Sequence, residues 1–245
     1  MQARFLISRK KLDRFLNDYK IAPKVHRPRA AVVIIDATYF GRQYGVLVAR
    51  DPLKKENLHA HEIVSETKEE YWQARADLEQ LGYTLLAVVL DGRPGIPRVF
   101  AGLPVQICHW HQWQIVRRKL TLRPKLPSHQ ALFSIGRQIG SVTEERLGKL
   151  LDVFQKLFRK DLEEKTYTWG TNRWRYTHAK LRSAYGSLRR NLSNLYTYQK
   201  YPELKIPNTT NSLDGSFNAL KSHVNVHRGL NKNRRGKIIK SYLRL

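Results

Sequence analysis

The chain has 245 residues, of which 41% are hydrophobic, so it is long enough and apolar enough to fold around a packed core. Lys and Arg number 45 against 20 Asp and Glu, which gives a formal net charge of +25. This excess favours a polyanionic partner, and its clustering in a few stretches favours nucleic acid over a generally basic, solvated surface. The lone Cys108 excludes an intrachain disulfide and any zinc finger that needs two cysteines.

No segment approaches the ~20 apolar residues that a membrane span requires. The first residues, MQARFLISRKKLDRFL, are basic and amphipathic, and they have neither the long apolar stretch nor the small-residue cleavage site of an export signal. We therefore expect a cytoplasmic, nucleoid-associated protein with no membrane partner.

Residues 1–28 are predicted to be a helical segment that ends in a Pro- and charge-rich linker. The next run, AAVVIID, ends at Asp36 and is continuously apolar and β-branched, which predicts a strand buried on both faces. The segments YGVLVARD (44–51) and HAHEIVSE (59–66) follow at short spacing and predict antiparallel neighbours of that strand.

A helix and two further strands are predicted next. The segment 68–83 has helical periodicity, TLLAVVLD ends a second fully apolar strand at Asp91, and LPVQICHW (103–110) predicts a short strand that runs into a helix. This order indicates an α/β fold with a mixed sheet, the first part of which covers residues 29–125.

Residues 126–205 are expected to form an all-helical insertion, because strand patterns stop past Pro127. Its clearest helix lies in 141–165, where Leu and Phe recur on one stripe and Ser141 with Glu144 predicts a capping box.

Two further helices are predicted toward the end of the chain. Residues 174–200 are helical in pattern and very basic, and a last helix begins at about Ser212. Residues 206–245 are therefore expected to return to the core and to end in a basic tail.

Asp36 and Asp91 each stand at the carboxyl end of one of the two most apolar strands. Ligand sites of α/β folds collect at this edge of the sheet, and Mg²⁺ prefers carboxylate oxygens. Either acid alone is better explained as the start of a turn, and Asp91-Gly92 is a turn dipeptide. Together, in a chain of charge +25, the pair favours a metal site.

Phosphodiester chemistry usually employs two metal ions, which calls for a third carboxylate. The candidate is Asp214, in NTTNSLDGSFNALKSH (208–223). Taken alone, this segment favours a helix cap, with Asn211 at the N-cap and Asp214 at the third helical position.

The cluster Cys108-His109-Trp110-His111 offers three soft or borderline ligands within four residues. A structural zinc site is disfavoured because no second Cys/His pair accompanies it at finger spacing. A cysteine nucleophile is disfavoured further, because nothing in the pattern supplies its acid or base partner.

Three stretches carry most of the basic residues: 117–125, 173–190 and 227–244. The middle stretch interleaves them with aromatic residues, which suits phosphate contacts with occasional stacking. We expect those aromatic side chains to be mostly in the core and the charges to face DNA. The candidate nucleic-acid-binding residues are Arg117, Arg118, Lys119, Arg173, Arg175, Arg189, Arg190, Arg234, Arg235 and Lys237.

Taken together, four motifs resemble the bacterial insertion-sequence transposases of the Mutator superfamily. They are VVIIDATYF around Asp36, LDGRPGIPRVF around Asp91, ICHWHQWQIVRR with its Cys108-x-x-His111 pair, and TTNSLDGSFNALK around Asp214. The resemblance covers roughly residues 30–235.

This resemblance implies an RNase-H-like fold with a helical insertion before the last catalytic acid. It implies a catalytic triad of Asp36, Asp91 and Asp214 that binds Mg²⁺ or Mn²⁺, and it changes the interpretation of Asp214 from cap to metal ligand. The implied activity is cleavage and strand transfer at insertion-sequence ends. The implied partners are double-stranded DNA, as terminal inverted repeats and target, and further copies of the chain in a homo-oligomer on DNA. The Cys-x-x-His pair is a family signature, and we expect it to organise the strand–helix turn beside the site.

Two features depart from the family pattern. The third acid is usually Glu, and members usually carry a DNA-binding domain before the core, where this chain has only residues 1–28. A truncated or split reading frame of reduced activity is therefore one expectation. A nuclease that cuts without joining, or a DNA-binding remnant, are the alternatives.

Overall fold

The computed structural model describes residues 7–41, 44–226, 229 and 231–243. Part of the predicted N-terminal segment (1–6) and part of the basic C-terminal stretch (227, 228, 230 and 244–245) lie outside the described residues.

A five-stranded mixed sheet forms the centre of the protein. Its strands are β1 (Ala30–Tyr39), β2 (Gly45–Asp51), β3 (Glu56–Ile63), β4 (Thr84–Leu90) and β5 (Val105–Ile107). Their order across the sheet is β3-β2-β1-β4-β5. Strand β2 runs antiparallel to β1 and β3, whereas β4 runs parallel to β1 and β5. The predicted α/β class with a mixed sheet is confirmed.

Ten helices surround the sheet in the part of the chain that the structure describes. They are α1 (Arg9–Asp18), α2 (Lys68–Gln80), α3 (His109–Leu120), α4 (Pro127–Arg137), α5 (Glu144–Leu157), α6 (Arg159–Glu163), α7 (Ala179–Leu195), α8 (Thr197–Lys200), α9 (Asn211–Val226) and α10 (Lys232–Leu243). None of these helices combines the length and the apolar composition of a membrane span. The described part of the chain also contains two short 3-10 helices, Ile96–Phe100 and Pro202–Leu204.

Both faces of the sheet are covered, which explains the continuous apolar pattern of β1. Val33 and Ile35 face a core shared with α2 and with helices α4, α5 and α7 of the insertion. Val32 and Ile34 face the second core, which α9 and α10 complete. Because side chains alternate along a strand, burial on both faces favours apolar residues at consecutive positions, as in residues 30–35. The predicted end of this strand at Asp36 is wrong, because β1 continues through Asp36 to Tyr39.

The insertion between residues 126 and 205 is not all-helical, so that prediction is wrong. Strands β6 (Lys165–Tyr167) and β7 (Trp174–Tyr176) pair as an antiparallel hairpin, and α7 begins only at Ala179 rather than near 174. Five of the six strand residues are exposed, so they show none of the apolar alternation from which a strand is predicted. The Lys165 ammonium lies 3.9 Å from the centre of the Trp174 ring, a contact that the sequence pattern does not reveal.

Two helix starts differ from the predicted caps. Thr143, not Ser141, caps α5, because its Oγ1 accepts a hydrogen bond from the Arg146 N–H at 3.2 Å. The Ser141 hydroxyl instead donates to the carbonyl that precedes it by three residues. Helix α9 includes Asn211, so Asn211 is not its cap; the Thr210 carbonyl accepts from the Asp214 N–H at 3.1 Å.

Gly92 holds the turn after β4 in a conformation that favours glycine. Its φ is +86°, and an added Cβ would lie 2.8 Å from Cγ2 of buried Ile107. Gly92→Ala is therefore expected to lower the free energy of unfolding by about 1–2 kcal/mol for the backbone and by about 1–3 kcal/mol more for the overlap. Gly102→Ala is the matched control, since its φ is +89° but no atom lies within 4 Å of its added Cβ. Equal losses in urea-unfolding experiments would contradict the steric argument.

Candidate metal centre and nucleic-acid cleft

The register of β1 and β4 brings Asp36 and Asp91 to the same edge of the sheet. Ile34 pairs with Val89 in the parallel ladder. Asp36 follows Ile34 by two residues, and Asp91 follows Val89 by two residues. Ile34 and Val89 both pack in the core formed with α9. Because side chains alternate along a strand, positions 36 and 91 fall on this same face.

Helix α9 covers that face, and its first turn carries Asp214. Asp36, His111 and Asp214 each offer a ligand atom, and these three atoms lie within 4.8 Å of one another. Asp91 is not a member of this group of three, but it is close enough for its charge to raise the pKa of Asp36. The structure thus brings together residues that are separated by up to 178 positions, from 36 to 214.

The carboxylates of Asp36, Asp91 and Asp214 each accept a hydrogen bond through one of their two oxygens. Asp36 Oδ1 accepts from the N–H of the next residue at 2.8 Å, and Asp91 Oδ1 accepts from the N–H of Arg93 at 2.8 Å. Asp214 Oδ2 accepts from the Thr210 hydroxyl at 3.0 Å. Within the described ranges no hydrogen bond engages the other oxygen of any of the three, so one oxygen of each acid remains for a cation. Hydrogen-bonded carboxylates of this kind are typical metal ligands.

Burial dominates the electrostatics of Asp36, which is only 8% exposed. Burial raises the pKa of Asp36 to about 7; the positive charge of His111 opposes this shift, and the negative charges of Asp91 and Glu66 add to it. A carboxylate that is costly to ionise in the metal-free protein is one whose ionised form a divalent cation would stabilise strongly.

The pKa of Asp36 predicts how the stability of the metal-free protein depends on pH. A folded pKa of about 7 lies above the ordinary 3.8, so between these values the native state keeps a proton that the unfolded chain releases. Raising the pH through this window therefore lowers the free energy of unfolding. Asp36→Asn removes this effect. We expect the difference in free energy of unfolding between Asp36→Asn and the parent, both in EDTA, to change in favour of the variant from pH 4 to pH 8, by at most about 4 kcal/mol.

Denaturant unfolding followed by circular dichroism at several pH values measures this difference. Asp18→Asn is the control, because Asp18 is exposed on α1 and forms no ion pair with a described residue, and its curve should stay close to parallel with that of the parent. If the Asp36→Asn curve were also parallel, the burial argument would be wrong.

Cys108 and His111 join the start of α3 to the segment before α9. The Thr210 N–H donates to the buried Cys108 Sγ at 3.4 Å, and Thr210 Oγ1 lies 3.5 Å from His111 Nδ1. The Cys108 N–H also donates to the Leu90 carbonyl at 2.8 Å, next to Asp91. These contacts place the Cys-x-x-His pair at the strand–helix turn beside the acids.

His111 supplies the positive charge of the acidic cluster. A hydrogen bond with Cys108 raises the pKa of His111 to about 9 against the effect of burial, and the charges of Asp36 and Asp214 act in the same direction. At neutral pH the imidazole is therefore protonated in the metal-free protein. It partly neutralises the acids in place of a cation.

Glu66 is a member of the site that the sequence analysis missed. Its side chain is 6% exposed, forms an ion pair with Arg93 at 2.5 Å, and accepts a hydrogen bond from the Tyr71 hydroxyl at 2.5 Å. Burial is the main reason that the pKa of Glu66 is raised, and the charge of Asp91 contributes to the same rise. The signal in the sequence is its position shortly after β3, at the end of HAHEIVSE, which is similar to the position of Asp91 after β4.

A cleft of about 1100 Å³ opens beside the acids, and both Asp91 and His111 line it. Asp91 is its only acidic lining residue among those described, whereas seven lining residues are basic. These are Lys68, Arg93, Arg98, Arg118, Lys119, Lys180 and Arg190. A cationic groove that ends at a carboxylate cluster suits a phosphate backbone.

The cleft contains three of the ten residues predicted to bind nucleic acid: Arg118, Lys119 and Arg190. Two others, Arg173 and Arg175, are exposed on the hairpin side of the insertion. Other lining cations, such as Lys68, lay outside the basic stretches and were not predicted.

Three more of the predicted residues are engaged within the protein. Arg189 forms an ion pair with Asp152. Arg234 forms an ion pair with Asp13 of α1 at 2.9 Å, and Lys237 donates to the Asn17 carbonyl at 2.5 Å. Arg234 and Lys237 therefore attach α1 to α10. Arg117 and Arg235 are half-buried and do not line the cleft.

The aromatic residues of the middle basic stretch only partly follow the prediction. Tyr176 and Tyr185 are half-buried, but Trp174 is 45% exposed. The expectation of a core position is wrong for Trp174, because it belongs to a two-stranded hairpin whose strand residues are mostly exposed.

Comparison with known proteins gave no further assignment. No protein-family model matches the chain, and a search of curated proteins found no match. The functional proposal therefore rests on the site and on the sequence motifs.

Proposed function

We propose that the protein is a metal-dependent enzyme that cleaves and transfers phosphodiester bonds. The observation that carries this proposal is the meeting of Asp36, Asp214 and His111 within 4.8 Å, beside Asp91, at a cleft with seven basic residues. Carboxylates that converge at one end of a cationic groove match the needs of a reaction at a charged phosphate.

More particularly, we propose a DNA transposase of the Mutator superfamily with an RNase-H-like core. The features that support it are Asp36 within β1, Asp91 directly after β4, a third acid on the helix after the insertion, and Cys108-x-x-His111 before that helix. The order of these motifs along the chain is the order that the resemblance implies.

Mg²⁺ or Mn²⁺ fits the donor set, because Asp36, Asp91 and Asp214 each have one oxygen without a hydrogen bond from the described residues. When bound, such ions supply Lewis-acid activation of the scissile phosphate and of the attacking water or DNA 3′-hydroxyl. The proton that Asp36 holds at low pH must leave its carboxyl before the group can act as a ligand.

The remaining residues position the DNA. Arg118, Lys119 and Arg190 bind phosphates along the cleft, and the protonated His111 adds positive charge where the cleft meets the acids. Backbone contacts of this kind fix the position of a duplex without reading its sequence.

The exchange of the usual Glu for Asp214 does not remove the third acid from the site. Although its side chain is one methylene shorter, a ligand atom of Asp214 still lies within 4.8 Å of those of Asp36 and His111. This geometry favours an enzyme over a DNA-binding remnant.

Two assays test the proposal. In the first assay, purified protein is incubated with supercoiled plasmid and Mn²⁺ or Mg²⁺. In the second assay, it is incubated with the same metal, a target plasmid and a pre-cut duplex that carries the end of its own element. We expect metal-dependent nicking in the first assay and joined products in the second. Nicking without joining would identify a nuclease, and DNA binding without either would identify a remnant.

A further inference from the structure

A second cluster of potential metal ligands lies on the opposite face of the sheet from the acids. His59 and His61 are two residues apart on β3, so they share a face, and helix α2 covers that face with Asp77. Their partners across the ladder, Ala49 and Leu47, pack in the core on the α2 side. The three ligand atoms of this cluster lie within 4.8 Å of one another.

The nitrogen and oxygen atoms of this cluster lie within hydrogen-bond distance of one another, but the neutral side chains do not carry enough protons for a hydrogen bond at each contact. His59 Nε2 lies 3.2 Å from His61 Nδ1 and 3.1 Å from Asp77 Oδ2. The neutral form of His59 has a single N–H for these two acceptors. Two imidazole nitrogens and a carboxylate oxygen directed at one point form a ligand set that a cation satisfies better than one shared proton.

Neighbouring residues orient these ligands. His61 Nε2 lies 2.8 Å from Glu70 Oε2, and a proton held on Nε2 by that carboxylate leaves the Nδ1 lone pair free to bind a metal. The Gln73 amide donates to Asp77 Oδ1 at 2.7 Å, which leaves Oδ2 facing His59. Carboxylate–histidine contacts of this type are characteristic of the surroundings of zinc ligands.

We propose that His59, His61 and Asp77 form a Zn²⁺ site that joins β3 to α2. Imidazole nitrogen with one carboxylate favours zinc over Mg²⁺, which prefers oxygen ligands throughout. The side chains of His59, His61 and Asp77 are 16%, 19% and 24% exposed, so an ion and a water molecule as fourth ligand can reach them from solvent. The site does not depend on the proposed transposase activity.

Zinc titration of tag-free, metal-stripped protein against a chromophoric chelator tests this proposal. The Asp36→Asn/Asp214→Asn variant serves as the background, so that the acidic cluster does not contribute a second site. We expect one Zn²⁺ per chain, lost with His59→Gln or Asp77→Asn, and an increase in Tm on adding Zn²⁺ that these variants lack. Glu70→Gln should weaken binding by about 10- to 100-fold while keeping the stoichiometry.

His129→Gln is the matched control, because His129 forms a ring contact with His178 in the insertion but is not part of a described ligand group. It should bind zinc like the background. The proposal is overturned if the folded background binds no Zn²⁺, or if binding survives unchanged in a folded His59→Gln or Asp77→Asn variant. Circular dichroism checks that each variant is folded, and either of the two variants is sufficient for the test.

Discussion

Asp36→Asn is expected to reduce Mn²⁺-dependent cleavage of DNA by at least about a thousandfold while leaving the protein folded. The Lewis-acid contribution of a bound metal is worth several kcal/mol, and about 4 kcal/mol corresponds to a thousandfold change in rate. Asn keeps the size of the side chain but lacks the charge that holds a cation. Because ionised Asp36 is destabilised by burial, the variant should be at least as stable as the parent at pH 8.

Initial rates of plasmid nicking, measured with the same preparations used for unfolding, separate activity from stability. Asp214→Asn should lose activity to a similar extent, whereas Asp18→Asn, which removes an exposed acid on α1, should retain the parental rate. Asp214→Glu introduces the acid that is usual in the transposases that the sequence resembles, and it should keep activity above that of Asp214→Asn. An Asp36→Asn protein that nicks DNA at the parental rate would show that the acids do not bind the catalytic metal.

Replacing Arg118, Lys119 and Arg190 together by Gln is expected to weaken DNA binding and to make it less sensitive to salt. The slope of log K against log salt concentration is negative, and each lost phosphate contact reduces its magnitude by about 0.9. The triple variant should therefore have a slope that is smaller in magnitude by about 3 if all three residues bind phosphates. The effect should be similar for unrelated duplexes, because phosphate contacts carry no sequence information directly. Fluorescence anisotropy at several salt concentrations gives both the affinity and the slope.

Lys10, Lys11 and Arg14 provide a control of equal charge. They are exposed on α1 and do not line the cleft. Their replacement by Gln removes the same three charges, and it should change the slope less than the cleft variant does. Equal losses in the two variants would mean that overall charge, rather than the cleft, attracts DNA.

Much of the sheet could be predicted because burial on both faces leaves a clear pattern. A strand between two helical layers has a continuous apolar run, as β1 has over residues 30–35 and β4 over residues 85–90, and the acid that follows such a run is easily found. The prediction of Asp36 and Asp91 as neighbours required only a parallel register, which the structure provides.

The elements that the sequence did not reveal are held by contacts that leave no periodicity. The hairpin of β6 and β7 is mostly exposed and is stabilised by local contacts, such as the hydrogen bond between Thr166 and Thr177 at 2.7 Å. The attachment of α1 to α10 through Arg234 and Asp13 joins residues 221 positions apart. Neither feature follows from helical or strand spacing.

The composition of the candidate site was predictable only in part. The local sequence around Asp214 predicts a helix-cap residue, and only the resemblance predicts a metal ligand. In the structure, Asp214 lies in the first turn of α9, on the face of the sheet that carries Asp36. Glu66 and the cleft residues Lys68 and Arg93 were missed, because their role depends on which loops the fold brings together. The basic stretches mixed cleft residues such as Arg190 with structural ones such as Arg189.

Anomalous diffraction at the manganese edge, from crystals grown with Mn²⁺, tests most directly whether distant acids meet to bind a divalent ion. Density for at least one ion is expected within bonding distance of Asp36 and Asp214, with Asp91 as a further ligand or close neighbour. Crystals of folded protein at saturating Mn²⁺ that show no ion between these acids would contradict the account.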